Sequence, residues 1–384
     1  MEDSSILDKV LSSKQVADIA NFHPSETLTL LLKELTPKEE ETLERRFGLR
    51  DQPKETLEEI GKRYAVTRER VRQIEEMAIK KIKSGKRFHD VMRGPEELIR
   101  GLLEQHGGAM TEDALLRELF RDVAMHESDR RALLFMLNEL MSDRYDQITK
   151  TSLVRPGWKL KGVSLTALQE TLEHIIATIQ ELGEAASFEM IFDRAKQKPF
   201  FEAHPDRLTE ETFQSYLELS PEIGKNPYQE YGLGIWGTIV PKRMNDKIYL
   251  VLKKHGKPMH FTDITKRINE TGFDRRTAYP PTVHNELILN KQYVLVGRGV
   301  YALKEWGYKP GVVADVIKET LDSASEPLTR DEIVQRVLEQ RIVKKNTIHL
   351  ALADRKQFER LQDGTYRKHT DSVSTTKNPE EPQT

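Results

Sequence analysis

The chain has 384 residues, 60 Lys and Arg against 62 Asp and Glu, a formal net charge of −2 and a mean hydropathy of −0.61. That length exceeds what one small core organises, so several domains in tandem are expected. Cysteine is absent, which excludes disulfides and thiolate metal sites, and neither a basic-then-apolar leader nor an apolar run of membrane-spanning length occurs, so a cytoplasmic protein with no membrane partner is expected.

Residues 1–34 read as an N-terminal helical segment in which Leu28–Leu35 forms a short helix packing on the domain that follows. That domain spans 35–86. Within it Thr56 and Glu59 stand in capping-box relation, and Leu57, Ile60 and Tyr64 recur at helical spacing. A tight turn through Ala65 and Val66 follows, and Thr67 is placed to cap a second helix. A step of about 100° per residue puts Val71, Ile74 and Ala78 on the inner side of that helix. Arg68, Glu69, Arg72, Gln73 and Glu76 fall on the outer side. Arg donates to guanine O6 and N7, Gln pairs with adenine N6 and N7, and Glu accepts from cytosine N4. A capped helix carrying all three types on one face suits a major groove better than it suits an ordinary solvated surface.

Leu35-Thr-Pro-Lys-Glu-Glu-Glu-Thr-Leu-Glu-Arg-Arg-Phe-Gly-Leu49, followed by Thr56 through Ile82, resembles region 4 of bacterial primary sigma factors. The resemblance implies that the second helix docks on the −35 promoter element and that the domain packs on the flap of RNA polymerase. It places Arg68, Glu69, Arg72 and Gln73 at base-reading positions, with Arg63 and Arg70 on phosphate, where contacts position a protein without reading sequence. The stretch before Leu35 holds one aromatic, Phe22, and no upstream domain with the exposed aromatics that capture flipped −10 bases. Promoter melting is therefore not expected of the chain.

Beyond a linker around Lys83–Gly94, one order of elements recurs. An amphipathic helix opens each module (Leu98–Leu103, Leu172–Ile179, Ile248–Leu252 and Val313–Leu321). A short break follows at Gly107-Gly-Ala-Met110, Gly183-Glu-Ala-Ala186, Gly256-Lys-Pro-Met259 and Ser325-Glu-Pro-Leu328. Two more helices and a Gly-turn before an aromatic close the module at Gly157–Trp158, Gly234–Trp236, Gly299–Tyr301 and Gly364–Tyr366. Three helices and a hairpin with Gly at its tip describe a winged helix, which predicts modules at 95–162, 166–241, 243–309 and 311–369. The last two align over Thr282, His284, Leu287, Lys291, Gln292, Gly299 and Tyr301 with Thr347, His349, Leu352, Lys356, Gln357, Gly364 and Tyr366. His284 and His349 read as packing residues, and Trp158, Trp236 and Trp306 as core residues against the hairpins. Lys247 through Ile264, closing with Val296-Gly-Arg-Gly-Val-Tyr-Ala-Leu-Lys-Glu-Trp-Gly307, is similar to the HARE-type winged helix found in the delta subunit of RNA polymerase and in chromatin-associated proteins.

Charge is segregated along these modules. Residues 60–93 hold 11 Lys and Arg against 4 Asp and Glu, 243–310 hold 13 against 6, and 166–242 hold 6 against 13. The basic third module points to phosphate contacts by Arg275, Arg276, Lys291 and Arg298, and the acidic second module to a protein partner or a spacer. Residues 370–384 are rich in Ser, Thr, Pro and Glu and read as a disordered tail.

The predicted architecture is mainly α: a sigma-region-4-like helix-turn-helix followed by about four small winged-helix (α+β) modules in tandem. No phosphate-cradling glycine loop, paired-carboxylate cluster or nucleophile elbow stands out, so neither an enzyme, a cofactor, a metal nor a small-molecule substrate is expected. The expected function is sequence-specific binding of double-stranded promoter DNA by a nucleoid-associated bacterial transcription factor that contacts RNA polymerase. The alternative is a polymerase-associated scaffold for which DNA binding is incidental.

Overall fold

A computed structural model describes residues 22–121, 125–308, 311–341 and 343–369; the expectations for the first 21 residues and for the tail 370–384 lie outside these. The chain divides into two compact units, Met1–Ile235 and Trp236–Thr384. No helix among the described residues is long and apolar enough to cross a membrane.

In the first unit, helix α1 (Pro24–Leu32) opens with Pro at its first position, where a missing N–H costs nothing. The next backbone N–H, of Ser25, is orphaned by helix geometry, and it donates to Asp129 Oδ1 at 3.1 Å while the Ser25 hydroxyl donates to the same oxygen at 2.5 Å. Helices α2 (Pro37–Phe47), α3 (Leu57–Tyr64) and α4 (Arg68–Ser84) follow. The expected linker is not one. After a short turn, helix α5 runs unbroken from Phe88 to Gln105, because Phe88, Val91, Met92, Pro95, Leu98, Ile99 and Leu102 keep helical spacing through the Gly94–Pro95 pair and bury or half-bury one side.

Three further elements, β1 (Ala109–Thr111), α6 (Glu112–Leu119) and α7 (Glu127–Phe135), lead into a widened helical turn at Met136–Leu140. Strands β2 (Tyr145–Ile148) and β3 (Gly157–Leu160) complete an antiparallel sheet in the order β1-β3-β2. One continuous core extends from Phe22 through Leu43, Ala78, Ile99 and Leu133 to Trp158, so 35–86 and 95–162 share a core. Phe47 meets Phe135 edge to face at 4.7 Å, and Arg131 Nη1 donates to the carbonyls of Gly48 and Gln52, each at 3.0 Å. Helix α1 belongs to this joint core and packs chiefly on α7 and α5, not on the helix-turn-helix alone.

The same order then returns: α8 (Leu165–Leu182), an isolated bridge Ala186–Tyr231, α9 (Phe188–Lys196), a short inserted α10 (Pro199–Ala203), α11 (Glu210–Leu219) and the hairpin β4 (Ile223–Lys225)–β5 (Tyr231–Leu233). Helix α11 lies on β1, where Ser215 Oγ donates to the Ala109 carbonyl at 3.0 Å and Tyr216 OH to that of Gly107 at 3.1 Å.

The second unit repeats the order twice. Helix α12 (Met244–His255), β6 (Met259–His260), α13 (Phe261–Thr271), α14 (Pro280–Leu289), β7 (Tyr293–Gly297) and β8 (Val300–Leu303) form the first pass. Helix α15 (Val313–Asp322), α16 (Arg330–Gln340), α17 (Lys345–Leu352), β9 (Phe358–Arg360) and β10 (Tyr366–Lys368) form the second, with a bridge Leu328–Tyr366 in place of the first strand. The passes are tied where the buried Arg341 donates through Nη1 to the Leu295 carbonyl.

The hairpin glycines divide. Gly299 (φ 70°) and Gly364 (φ 88°) adopt the positive φ expected at a tip. Gly157 instead lies within β3, where a Cβ would stand 2.2 Å from the Met110 carbonyl oxygen, so close strand approach rather than a turn selects it. Gly234 follows β5, and the positive φ of that turn falls on Gln229 (66°). His284 packs as expected, stacked on Phe261 at 4.5 Å and edge-on to Tyr301 at 5.8 Å. Trp158 is buried in the sheet, whereas Trp236 and Trp306 are half-buried.

The Asp129 carboxylate is the only cap that the N-terminus of α1 has from elsewhere in the described chain. Replacing it with Ala leaves the Ser25 N–H without that acceptor and should lower unfolding stability by about 1–2 kcal/mol in denaturant titrations, whereas a nearby exposed change such as Asn138→Ala should be within about 0.5 kcal/mol of the parent.

Candidate nucleic-acid interface

The turn between α3 and α4 is built locally. Thr56 caps α3: the Glu59 N–H donates to Thr56 Oγ1 at 3.3 Å, and the Thr56 N–H donates back to Glu59 Oε2 at 2.7 Å. Ala65 ends the helix in the left-handed region (φ 54°), and a Cβ on Gly61 would stand 2.8 Å from the Val66 carbonyl oxygen, so the chain reverses this tightly only with glycine at 61. Thr67 Oγ1 accepts from the Arg70 N–H at 3.2 Å and starts α4. Val71, Ile74, Ala78 and Ile82 are buried, as the spacing requires.

The side chains of Arg68, Glu69, Arg72, Gln73 and Glu76 are all exposed and occupy an arc of roughly 140° on α4. The structure brings them together as a paired array. Arg72 Nε lies 3.0 and 3.2 Å from the two Glu69 carboxylate oxygens, and its Nη1 donates to Glu76. The guanidinium beside it holds the Glu69 carboxyl below the usual carboxylate range, and the two carboxylates hold Arg72 more firmly protonated. Arg70 Nη1 donates to Gln73 Oε1 at 3.1 Å. Arg68 has neither a side-chain hydrogen bond nor an ion pair among the described residues. Arg63, which flanks the array, reaches Glu55 at 3.2 Å, and Glu55 also takes Arg45 at 2.8 Å. The Glu69–Arg72–Glu76 clamp escaped the sequence reading, although its i, i+3 and i, i+4 spacing was the available signal.

Arg275, Arg276, Lys291 and Arg298 are exposed, and none forms a side-chain ion pair among the described residues. They do not sit on the third helix of their module. Arg275 and Arg276 lie in the loop before α14, Lys291 just after it, and Arg298 beside the hairpin tip. The third helices also differ in what covers them. Along α7 and its continuation, from Ser128 to Leu140, Asn138 alone is exposed, and α11 keeps only Glu210, Glu211 and Gln214 exposed. Helices α14 and α17 each retain an open side.

Residues 31–84 match the family described as Sigma-70, region 4. A segment of 68 residues is 52% identical to the RNA polymerase sigma factor SigA of Clostridium acetobutylicum, covering 17% of this chain and 18% of that protein. Another, of 62 residues, is 50% identical to the RNA polymerase sigma factor SigA of Lactococcus lactis subsp. cremoris, covering 16% and 17%. The chain thus spans less than a fifth of the length of these relatives.

Glu75 sits on the inner flank of α4, 3.3 Å from Arg46. Burial pushes its carboxyl above the ordinary range despite the nearby Arg46, and the charges of Glu139 and Glu76 act in the same direction. A carboxyl with a raised native pKa holds its proton more tightly folded than unfolded, so its contribution to stability is present at acidic pH and falls as pH rises through the native value. Glu75→Gln removes that loss. Its stability relative to the parent, followed by urea unfolding, should increase as pH rises from the ordinary carboxylate range through the raised native value. A difference that shrinks over that window would show that the Arg46 pair outweighs desolvation.

Proposed function

We propose that the chain is a non-catalytic transcription factor that reads a −35-like promoter element through α4. The observation that carries this reading is the exposed array Arg68, Glu69, Arg72 and Gln73 on the first half of a capped helix, within a segment matching sigma-70 region 4. Arg72 and Glu69 offer a donor and an acceptor side by side, the complement of neighbouring guanine O6/N7 and cytosine N4 groups, while Gln73 suits adenine. Surface ion pairs of this kind exchange partners at little cost, so base edges compete for groups already held in place. Arg63 and Arg70, at the margins of the array, meet phosphate. Because the similar proteins are RNA polymerase sigma factors, the same domain is inferred to contact RNA polymerase.

The four recurrent modules are read as winged helices with unequal roles. In the first two the third helix is covered by neighbouring parts of the unit, so these modules brace the reading domain rather than add DNA contacts. That covering also supports the second reading, a polymerase-bound scaffold whose affinity for DNA is only electrostatic.

Fluorescence anisotropy of the full chain on a duplex carrying a TTGACA-like box and on a scrambled duplex, across a salt series, separates the two. The promoter-reading model expects a preference for the box that persists as salt rises. Arg72→Ala should weaken box binding by roughly ten- to a hundredfold, concentrated at one base pair, and leave the scrambled duplex nearly unchanged. Arg70→Ala should weaken both duplexes and reduce the salt slope by about one. Equal affinities that vanish together with salt would leave the scaffold reading.

A further inference from the structure

Helix α14 is the third helix of the most basic module, yet Pro280–Leu289 contains neither Lys nor Arg. Its open side shows Ile288 at 60% and Leu289 at 80% exposure, with Tyr279 at 65% at the N-terminal end and the neutral Thr282 and Asn285 between. A rise of 1.5 Å per residue sets the two apolar ends about 14 Å apart. Arg275 and Arg276 precede this stripe and Lys291 follows it, all exposed and without side-chain ion pairs among the described residues. Scattered exposed apolar residues need no explanation, but here apolar groups at both ends of the helix, joined by neutral Thr282 and Asn285 with only the half-buried Glu286 charged beside them, lie within a basic margin, which is the anatomy of a protein–protein interface.

We propose that α14 and its flanking cations form a docking surface for an acidic amphipathic helical segment of a protein partner. Apolar anchors on successive turns of such a segment match the length of the stripe, and its carboxylates meet Arg275, Arg276 and Lys291. A second copy of this chain is disfavoured because two basic margins would face each other. DNA fits less well, since the only apolar feature of the major groove is the thymine methyl and the helix itself supplies no cation for phosphate.

The test uses the full chain and a fluorescent peptide with Leu at i, i+3, i+4 and i+7 and Glu elsewhere, compared with a scrambled peptide of the same composition and with a random-sequence duplex. The patterned peptide should bind at least about tenfold more tightly than the scramble, and Ile288→Ser combined with Leu289→Ser should abolish that advantage. Leu350→Ser, an exposed change on α17, should have no effect, and circular dichroism melts should show every variant folded. Equal binding of the two peptides would reduce the site to general electrostatics and overturn the proposal. So would a double variant that loses duplex affinity while keeping the peptide preference, which would make this a nucleic-acid face. Self-association abolished by the same double variant would replace the partner with a second copy.

Discussion

Burial of α7 against α1 and the end of α2 is the contact on which the first unit depends. A domain of the size of 35–86 has too much surface for its volume to be securely folded by its own core. Here it does not stand alone. Phe135 meets Phe47, Arg131 fastens the carbonyls at the turn after α2, and Asp129 supplies the acceptor that α1 lacks. Within less than two turns α7 thus supplies an apolar, a cationic and an anionic contact, the first two to the end of α2 and the turn after it and the third to α1. The positions of α2 and α4 follow from that core, because Leu43 and Ala78 lie within it together with Leu133.

The exposed array on α4 is not strongly cationic at its centre. Glu69 and Glu76 hold Arg72 in place, so the middle of the face presents paired donors and acceptors, with Arg63, Arg68 and Arg70 around it. If α4 meets DNA as proposed, non-specific attraction comes from the margins and discrimination from the centre. On that proposal a base edge that offers an equivalent acceptor replaces an existing partner of Arg72 at little cost, and a base pair without one is disfavoured. Half-buried Glu75, below the array, is a different kind of carboxylate: its charge is opposed by burial, whereas that of Glu69 is favoured by Arg72.

The helix-turn-helix was legible in the sequence because every signal involved is local. Thr56 with Glu59, Ala65 at the turn, Thr67 at the cap and the inner face of Val71, Ile74 and Ala78 are all set within a few residues of one another. The helix through Gly94 and Pro95 was not legible because that pair is strong local punctuation, while the apolar stripe that continues the helix extends well beyond it. Likewise Gly157 looks like a turn glycine by its neighbours, but its selection comes from Met110 on another strand. Neither the Ser25–Asp129 cap nor the contact of Tyr216 with Gly107 has a signature in sequence, since each joins residues more than a hundred positions apart.

The modules share an order of elements and diverge in what happens to the third helix, and the difference follows from composition. The run Ala132-Leu-Leu-Phe-Met-Leu137 has apolar side chains on every side of a helix, so solvent cannot be left against any of them without cost, and α7 is enclosed. In α11, Phe213, Tyr216, Leu217 and Leu219 bury one broad side, with Ser215 and the Tyr216 hydroxyl satisfied by carbonyls of the neighbouring module, and leave only Glu210, Glu211 and Gln214 exposed. Helix α14 buries only Val283 and Leu287, and Thr282, Asn285, Ile288 and Leu289 stay exposed among the described residues. A repeated order of elements therefore does not imply a repeated surface: the third helices of the first two modules are largely covered, whereas α14 keeps the open side on which the proposed docking surface rests.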